Sequence, residues 1–288
     1  MTKRAVCVGI NDYSARNDCS NLVGARPDAE AWAQCLSDGF DFDPAKVSVL
    51  KDGGATRSAV MAALKNMLDQ SGAGDVACFF FSGHGGRYQS SDGSTWLESI
   101  CCADAGGDIT NQDFDAFAAA LQPSYVNFTL VLDSCHSGGA FDAITSGAKS
   151  QSWSQDTIDK FASSCSLIVP HICIGDPSKI SGNVSVSKDG GSLSMSIDSS
   201  LDFSDSAKAT LFAACRYDQL SYDGASHGAF TQALLDTINQ CNYQASHPDL
   251  LDKVRDAIKQ YNDSQIPQLR GRPVRLQENF LQGWTYSI

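Results

Sequence analysis

The chain has 288 residues, of which 42% are hydrophobic and 19% charged, so it has the composition of a globular protein and the length for one large α/β domain or two small ones. A formal net charge of −12 without a Lys/Arg cluster argues against a nucleic-acid-binding protein, which normally has a basic face. No apolar stretch approaches the roughly 18 residues that a membrane span needs, so we expect neither a nucleic acid nor a membrane as partner.

Strands and helices are predicted to alternate through the first half of the chain. The predicted strands are short apolar runs, and the predicted helices show apolar residues at helical spacing behind a capping residue. In chain order they are a strand at 5–10, a helix at 28–36 capped by Asp28, a strand at 47–50, a helix at 56–68 capped by Thr56, a strand at 76–81, a loop with a hairpin at 82–107, a helix at 113–121 and a strand at 127–132. This alternation indicates a mainly parallel sheet with helices on both faces.

The pattern loosens from residue 141 to 205, where serine becomes frequent. We interpret this stretch as an insertion that is part loop and part short strands, at 167–174, 184–186 and 193–197. Order returns with a strand at 209–214 and helices at 228–238 and 248–261. A last strand is predicted at either 268–269 or 274–276.

Two glycine-rich segments, 82–86 and 133–139, follow the ends of predicted strands and contain His84 and Cys135. The ligand crevice of a parallel sheet lies outside the carboxyl ends of its strands, so we expect both side chains to be open to a substrate there. A cysteine with backbone donors nearby can attack a carbonyl, and the N–H groups of Gly85 and Cys135 can stabilise the oxyanion. A histidine can protonate the leaving amine and later activate water. No third residue is required, so the pair is interpreted as a Cys–His dyad.

The remaining histidines and most cysteines fit structural roles. His171, His227 and His247 have no partner at a catalytic spacing and are interpreted as surface or core residues. The 11 cysteines are irregularly spaced, and those in apolar runs, such as Cys7 and Cys78, are interpreted as small buried hydrophobic residues of a protein in a reducing compartment. The first apolar run is too short for a signal peptide, so we expect a soluble, cytoplasmic protein.

The two glycine-rich segments resemble the catalytic signatures of metacaspases, which are caspase-like cysteine peptidases. Segments 5–11, 22–29, 219–223 and 228–231 resemble further parts of that family in the same order, so that the likeness covers roughly 4–142 and 208–276. The resemblance implies an α/β fold of the caspase type, a three-layer α/β/α sandwich with a mainly parallel central sheet. It also implies one peptidase domain over 1–288, with a large-subunit-like part at 1–142, an insertion at 143–207 and a small-subunit-like part at 208–288.

The resemblance further implies cleavage after Arg or Lys through an acyl-thioenzyme. By its pattern Asp28, Ser82 and Asp133 form the pocket for the basic side chain, and opposed carboxylates suit a guanidinium or ammonium group. For Asp28 the alternative role of helix cap stays open at this point. The early block of the family carries a cysteine where this chain has Ala25, a departure that alters the pocket wall.

Many metacaspases are activated by calcium, and the resemblance marks Glu98, Asp104 and Asp142 as candidate metal ligands. The usual adjacent pair of aspartates is replaced by Asn111 and Gln112. Calcium binds oxygen ligands that carry real negative charge. We therefore expect no cofactor requirement and weak or absent calcium dependence.

The expected partners are protein or peptide substrates with basic residues, and the resemblance implies a monomer. Lysines at 149, 160, 179 and 188 make the insertion a candidate for autoprocessing. Two alternatives stay open: a related cysteine peptidase of the clostripain or legumain type with another specificity, and a catalytically silent caspase-like binding protein.

Overall fold

A computed structural model describes residues 1–89, 96–120, 126–135, 169–170, 209–216, 219–224, 226–261, 265–271 and 273–283. Its strands are β1 (Lys3–Gly9), β2 (Val47–Lys51), β3 (Val76–Ser82), β4 (Gly85–Gln89), β5 (Trp96–Ile100), β6 (Ile109–Thr110), β7 (Asn127–Asp133), β8 (Val169–Pro170), β9 (Ala209–Ala213), β10 (Tyr222–Asp223) and β11 (Gln268–Arg270). Its helices are α1 (Ala25–Gly39), α2 (Arg57–Asp69), α3 (Asn111–Ala120), α4 (Ala229–Gln240), α5 (His247–Ile258) and α6 (Pro273–Leu276).

The main sheet has six strands in the order β11-β9-β7-β3-β1-β2. All neighbouring pairs are parallel except β11 and β9, which are antiparallel. Strands β3, β7 and β9 are buried at every residue, which explains their continuous apolar sequences, because helices cover both faces of the sheet. The predicted mainly parallel sheet is confirmed.

Two hydrophobic clusters separate the faces of this sheet. Phe79 and Phe81 belong to one cluster and Phe80 to the other, as expected for side chains that alternate along a strand. The first cluster includes apolar residues of α2 and α3, and the second includes apolar residues of α1, α4 and α5. The molecule is therefore the predicted three-layer α/β/α sandwich.

The structure decides between two predicted strands and corrects one predicted helix cap. The last strand is β11, at the first of its two predicted places, whereas residues 274–276 belong to α6, where Arg275 pairs with Glu278. Asp28 is not the cap of α1, which begins at Ala25 behind Gly24. By contrast Thr56 caps α2 as predicted, because its Oγ1 accepts a hydrogen bond from the Ala59 N–H at 3.2 Å.

The N-terminus of α1 is held by contacts with residues outside the helix. Asp223 on β10 accepts hydrogen bonds from the N–H groups of Val23 and Gly24 at 2.6 and 2.9 Å. Asn11 accepts one from the N–H of Arg26 at 2.9 Å. These partners satisfy N–H groups that a local cap would otherwise bind, so α1 begins at Ala25, three residues before the predicted cap Asp28. The Asp28 side chain therefore makes other contacts.

The described cysteines fit the prediction with one exception. Cys7 and Cys78 are buried thiols in the sheet, and burial raises the pKa of Cys78 to about 12. Cys19 is disulfide-bonded, so it is not one of the thiols that a reducing compartment would keep.

No helix among the described residues is long and apolar enough to span a membrane. The predicted strands at 184–186 and 193–197 and the lysines of the insertion lie outside the described residues.

Candidate active site

The register of two parallel strands places His84 and Cys135 side by side. Ser82 of β3 aligns with Asp133 of β7, and the N–H of Gly83 donates to the Asp133 carbonyl oxygen at 3.2 Å. His84 and Cys135 each stand two residues beyond this aligned pair, at the carboxyl edge of the sheet. Gly85 lies so close to the Cys135 carbonyl oxygen that a Cβ atom has no room there. The two strand ends therefore approach each other as the sequence predicted.

The histidine is fixed by two residues of the segment between β1 and α1. Its backbone N–H donates to the Tyr13 hydroxyl oxygen at 2.9 Å, and that hydroxyl donates to the Cys101 carbonyl oxygen at 3.2 Å. The Nε2 atom of His84 lies 2.7 Å from the Ser20 carbonyl oxygen. Since a carbonyl can only accept, Nε2 carries the hydrogen, and in that tautomer Nδ1 carries the lone pair that can take a proton.

The thiol of Cys135 is closed off from solvent. Its exposed fraction is 1%, and that of His84 is 0%. The N–H of Ser221 donates to Sγ of Cys135 at 3.2 Å, so the main chain beside β10 covers the sulfur. The expectation that both side chains are open to a substrate is therefore wrong for this state.

Asp28 and Ser82 come together next to this edge of the sheet. Asp28 is fully buried, and Ser82 Oγ donates to its Oδ2 atom at 2.7 Å. The Gly228 N–H donates to both carboxylate oxygens at 3.1 Å. The Nδ1 atom of His227 lies 2.8 Å from Oδ1. His227 was interpreted as a surface or core residue, and its side chain is 25% exposed, but its contact with Asp28 was not foreseen; His247 is a buried core histidine, as that interpretation allowed.

Asp133 is the second buried carboxylate of the same region. Ser221 Oγ donates to its Oδ1 at 2.5 Å, and the N–H and Oγ1 of Thr231 donate to its Oδ2 at 3.1 and 2.6 Å. Gln265 Nε2 in turn donates to Ser221 Oγ at 3.0 Å. Ser221 thus contacts both the sulfur of Cys135 and the carboxylate of Asp133, which links the nucleophile to the acidic region.

The electrostatics of this region favour a cation. Burial raises the pKa of Asp28, and the negative charge of Asp133 raises it further, although the hydrogen bonds from His227 and Ser82 oppose the rise. The hydrogen bond to Asp28 raises the pKa of His227. Desolvation outweighs pairing for Asp28, because the carboxylate is fully buried and the imidazole is not. The titratable partner of Asp28 is therefore His227, whereas Ser221 and Thr231 donate to Asp133.

Several residues of this site were missed by the sequence analysis. Tyr13 and Ser20 act through a hydroxyl and a backbone carbonyl in a loop without a motif, so nothing in the sequence marked them. Ser221 and Thr231 fall in blocks 219–223 and 228–231, whose likeness to the family was noticed without assigning roles. That likeness was the available signal.

The candidate metal ligands are not assembled into a site. Asp104 Oδ1 accepts the Arg57 N–H at 2.8 Å and so caps α2, while Glu98 is buried on β5 and Asp142 lies outside the described residues. Asn111 uses its Oδ1 to accept the Gln112 N–H at 3.0 Å. Its buried Nδ2 has no hydrogen-bond partner within the described chain. An amide NH₂ group can only donate hydrogen bonds, whereas a calcium ion needs oxygen ligands.

Nearby carboxylates are already neutralised by guanidinium groups. Arg16 binds Asp108 at 2.6 Å, and Arg57 binds Asp113 at 3.1 Å. Within the described ranges no group of three His, Cys, Asp or Glu residues is arranged to hold a metal ion. The residues that the structure describes do not fit a calcium ion.

Comparisons with known proteins agree on the kind of protein that this chain resembles. Residues 2–276 match the family model described as the caspase domain of peptidase C14. Metacaspase-9 of Arabidopsis thaliana is 34% identical over 148 residues, which are 48% of this chain and 44% of the relative. Metacaspase-4 of the same plant is 29% identical over 49% of this chain and 35% of the relative. The alignments thus span less than half the length of these curated relatives.

Solved structures show a similar fold. A structural-genomics crystal structure of a Geobacter sulfurreducens protein has a TM-score of 0.64 and 22% identity, covering 98% of this chain and 99% of that one. Caspase-1 from Spodoptera frugiperda has a TM-score of 0.54 and 10% identity, covering 93% of this chain and 86% of that one. At these identities the two structures support the fold alone.

Proposed function

The chain belongs to the caspase-domain family of peptidases, and on that premise we propose that it is a cysteine endopeptidase that cleaves after Arg or Lys. The family and the metacaspase relatives support a caspase-like cysteine peptidase. The observation that supports the basic specificity is the pair of fully buried carboxylates, Asp28 and Asp133, beside the strand ends that carry His84 and Cys135.

The proposed reaction uses Cys135 as nucleophile. His84 takes the thiol proton on Nδ1, and Sγ attacks the carbonyl carbon of the scissile bond while the N–H groups of Gly85 and Cys135 bind the oxyanion. His84 gives that proton to the leaving amine, the C–N bond breaks, and a thioester remains. A water then attacks the thioester and passes a proton through His84 to the departing sulfur, which restores the thiol. The Ser20 carbonyl keeps His84 in the tautomer that this route needs.

The proposed specificity follows from charge and burial. The hydroxyls of Ser221 and Thr231 and the Thr231 N–H donate to Asp133, and the titratable donor to Asp28 among the described residues is His227. A guanidinium or ammonium group that enters between the carboxylates gains charge-assisted hydrogen bonds in a region shielded from water. A neutral or acidic side chain gains none and leaves the carboxylates without a new partner.

A panel of fluorogenic peptides that differ only in the residue before the scissile bond tests this proposal. With Arg or Lys there, kcat/KM should exceed that for Asn, Asp or Ala by at least about 100-fold, since removing one partner of a buried charge pair costs about 3–5 kcal/mol. Cys135→Ala should cleave none of them. Preferred cleavage after Asn or Asp would favour the legumain type, and binding without cleavage would favour a silent binding protein.

Calcium is not expected to be needed for this reaction. The buried amide donor of Asn111 and the pairing of Asp108 and Asp113 with arginines support calcium independence. Activity on the best Arg substrate should therefore change by less than about twofold between EGTA and millimolar calcium, because few charged oxygen ligands are left to bind the ion. A steep rise of activity at sub-millimolar calcium is the result that contradicts this expectation.

A further inference from the structure

We propose that His227 is a specificity-determining residue of the basic pocket: its imidazolium occupies Asp28 in the free protein, and the cationic side chain of a substrate has to displace it. The inference rests on the proposed function, because it assigns a regulating occupant to the same pocket. The sequence gives His227 no catalytic spacing, and the reaction proposed above does not use it.

The contacts of Asp28 place His227 on the open side of the pocket. Ser82 donates to Asp28 from β3 and is fully buried, and the Gly228 N–H donates from the buried start of α4. His227 lies 2.8 Å from Oδ1, and its side chain is 25% exposed. Of these donors to Asp28, the imidazole is thus the one that reaches solvent and can swing away without breaking the main chain.

The charged groups around His227 stabilise its protonated form beside Asp28. Among the described residues, the charged groups near the His227–Asp28 pair are Asp133 at the end of β7, Asp223 on β10 and Asp236 on α4, and these three are acidic. A buried carboxylate without a counter-charge is costly, so an imidazolium stabilises the empty pocket. Unlike lysine or arginine, an imidazolium can lose its charge near neutral pH and release the carboxylate.

Binding of a basic substrate should therefore be linked to loss of a proton from His227. When the guanidinium takes Oδ1 of Asp28, the displaced imidazolium loses its partner and gives its proton to solvent. The fraction of protein ready to bind rises as His227 becomes neutral, so KM for Arg substrates should fall as pH rises. Substrates without a cation do not compete for Asp28, so their KM should not follow this titration.

The experiment compares wild type, His227→Gln and Asp236→Asn on one Arg substrate between pH 5.5 and 8.5. The ordinary pKa of histidine is about 6.5 and the hydrogen bond to Asp28 raises it, so at pH 6 wild-type KM should exceed its high-pH value by at least about fourfold. His227→Gln should lower KM at pH 6 and reduce its pH dependence, while kcat keeps its profile; the dependence that remains belongs to Asp28, whose own pKa burial raises. Asp236→Asn leaves the contact with Asp28 in place but removes one of the charges that favour the imidazolium, so its KM at pH 6 should lie between the values of wild type and His227→Gln.

Each contrary result has a separate meaning. If wild type cleaves Arg substrates but KM has the same pH profile in His227→Gln, the role of His227 is overturned and the proposed function stands. If wild type cleaves other substrates and no Arg or Lys substrate at any pH, the basic pocket fails, and the role of His227 fails with it. Release of a proton on binding of a peptidyl-arginine aldehyde, measured by calorimetry in two buffers and reduced in His227→Gln, is the second readout that supports the inference.

Discussion

At the scale of single residues, local motifs mark His84 and Cys135, because each follows a buried strand and precedes glycines, and their catalytic roles stay predictions. Long-range contacts show what positions these two residues. Ser20, Ser221 and His227 could not be predicted, since they act from segments that meet the site only in the folded chain. The openness of the site was wrongly predicted for the same reason, because the Ser221 main chain that covers the thiol is distant in sequence.

Substitution of Asp28 tests whether its carboxylate binds the basic side chain of the substrate. Asp28→Asn removes the charge and keeps the size of the side chain, so kcat/KM for Arg substrates should fall by at least about 100-fold through the loss of a buried charge partner. The matched control is Asp38→Asn, an exposed carboxylate on the same helix, which should leave kcat/KM unchanged. An Asp28→Asn protein that keeps its full preference for Arg would remove Asp28 from the pocket.

At the scale of elements, the strands were predicted well and the starts of the helices less well. Thr56 caps α2 from the preceding residue, so the sequence was sufficient there. The start of α1 depends on Asp223, about two hundred residues away, and no local pattern reports such a partner. The sequence allowed the last strand at two places, because a short apolar run such as 274–276 does not distinguish a strand from a helical turn.

The close approach of the segments that follow β3 and β7 predicts that a side chain at Gly85 lowers the activity. Gly85→Ala places a Cβ against the Cys135 carbonyl oxygen and pushes the two strand ends apart. Since a displacement of about 1 Å at reacting groups can cost about 100-fold in rate, kcat should fall by about that factor. Gly53→Ala is the control, because a Cβ at Gly53 meets nothing within 4 Å. Equal activity of both variants would contradict the geometry proposed for Gly85.

At the scale of the whole molecule, the alternation of strands and helices was sufficient to predict the three-layer fold. The order of the strands in the sheet was not predictable, since it depends on which apolar faces meet. The cytoplasmic location, the monomeric state and the autoprocessing of the insertion stay predictions.

The dependence of stability on pH is a property of the whole chain to which the acidic pocket contributes. Asp28 and His227 have raised pKa values, so the folded state holds more protons than the unfolded state; the contribution of Asp28 to stability is lost as pH rises from about 4 to about 6, and that of His227 as pH rises above about 6.5. His247 opposes this, because burial lowers its pKa to about 4 and its neutral form is favoured on folding.

The difference between wild type and Asp28→Asn separates these contributions. Wild type should lose stability relative to Asp28→Asn as pH rises from about 4 to about 7, because the variant lacks the raised carboxyl and the partner that raises the pKa of His227. Urea unfolding at several pH values measures this difference. A difference that stays constant with pH, or that changes in the opposite direction, would show that the pair does not titrate as described.

The proposed function requires Cys135 to be the nucleophile of a peptidase that is selective for basic residues. The most direct test is intact-mass and peptide mass spectrometry after incubation with a peptidyl-arginine chloromethyl ketone. The predicted result is a single adduct on Cys135, absent in Cys135→Ala and much slower with the matching aspartyl probe. Labelling of another cysteine, or equal labelling by the arginyl and aspartyl probes, would contradict the account.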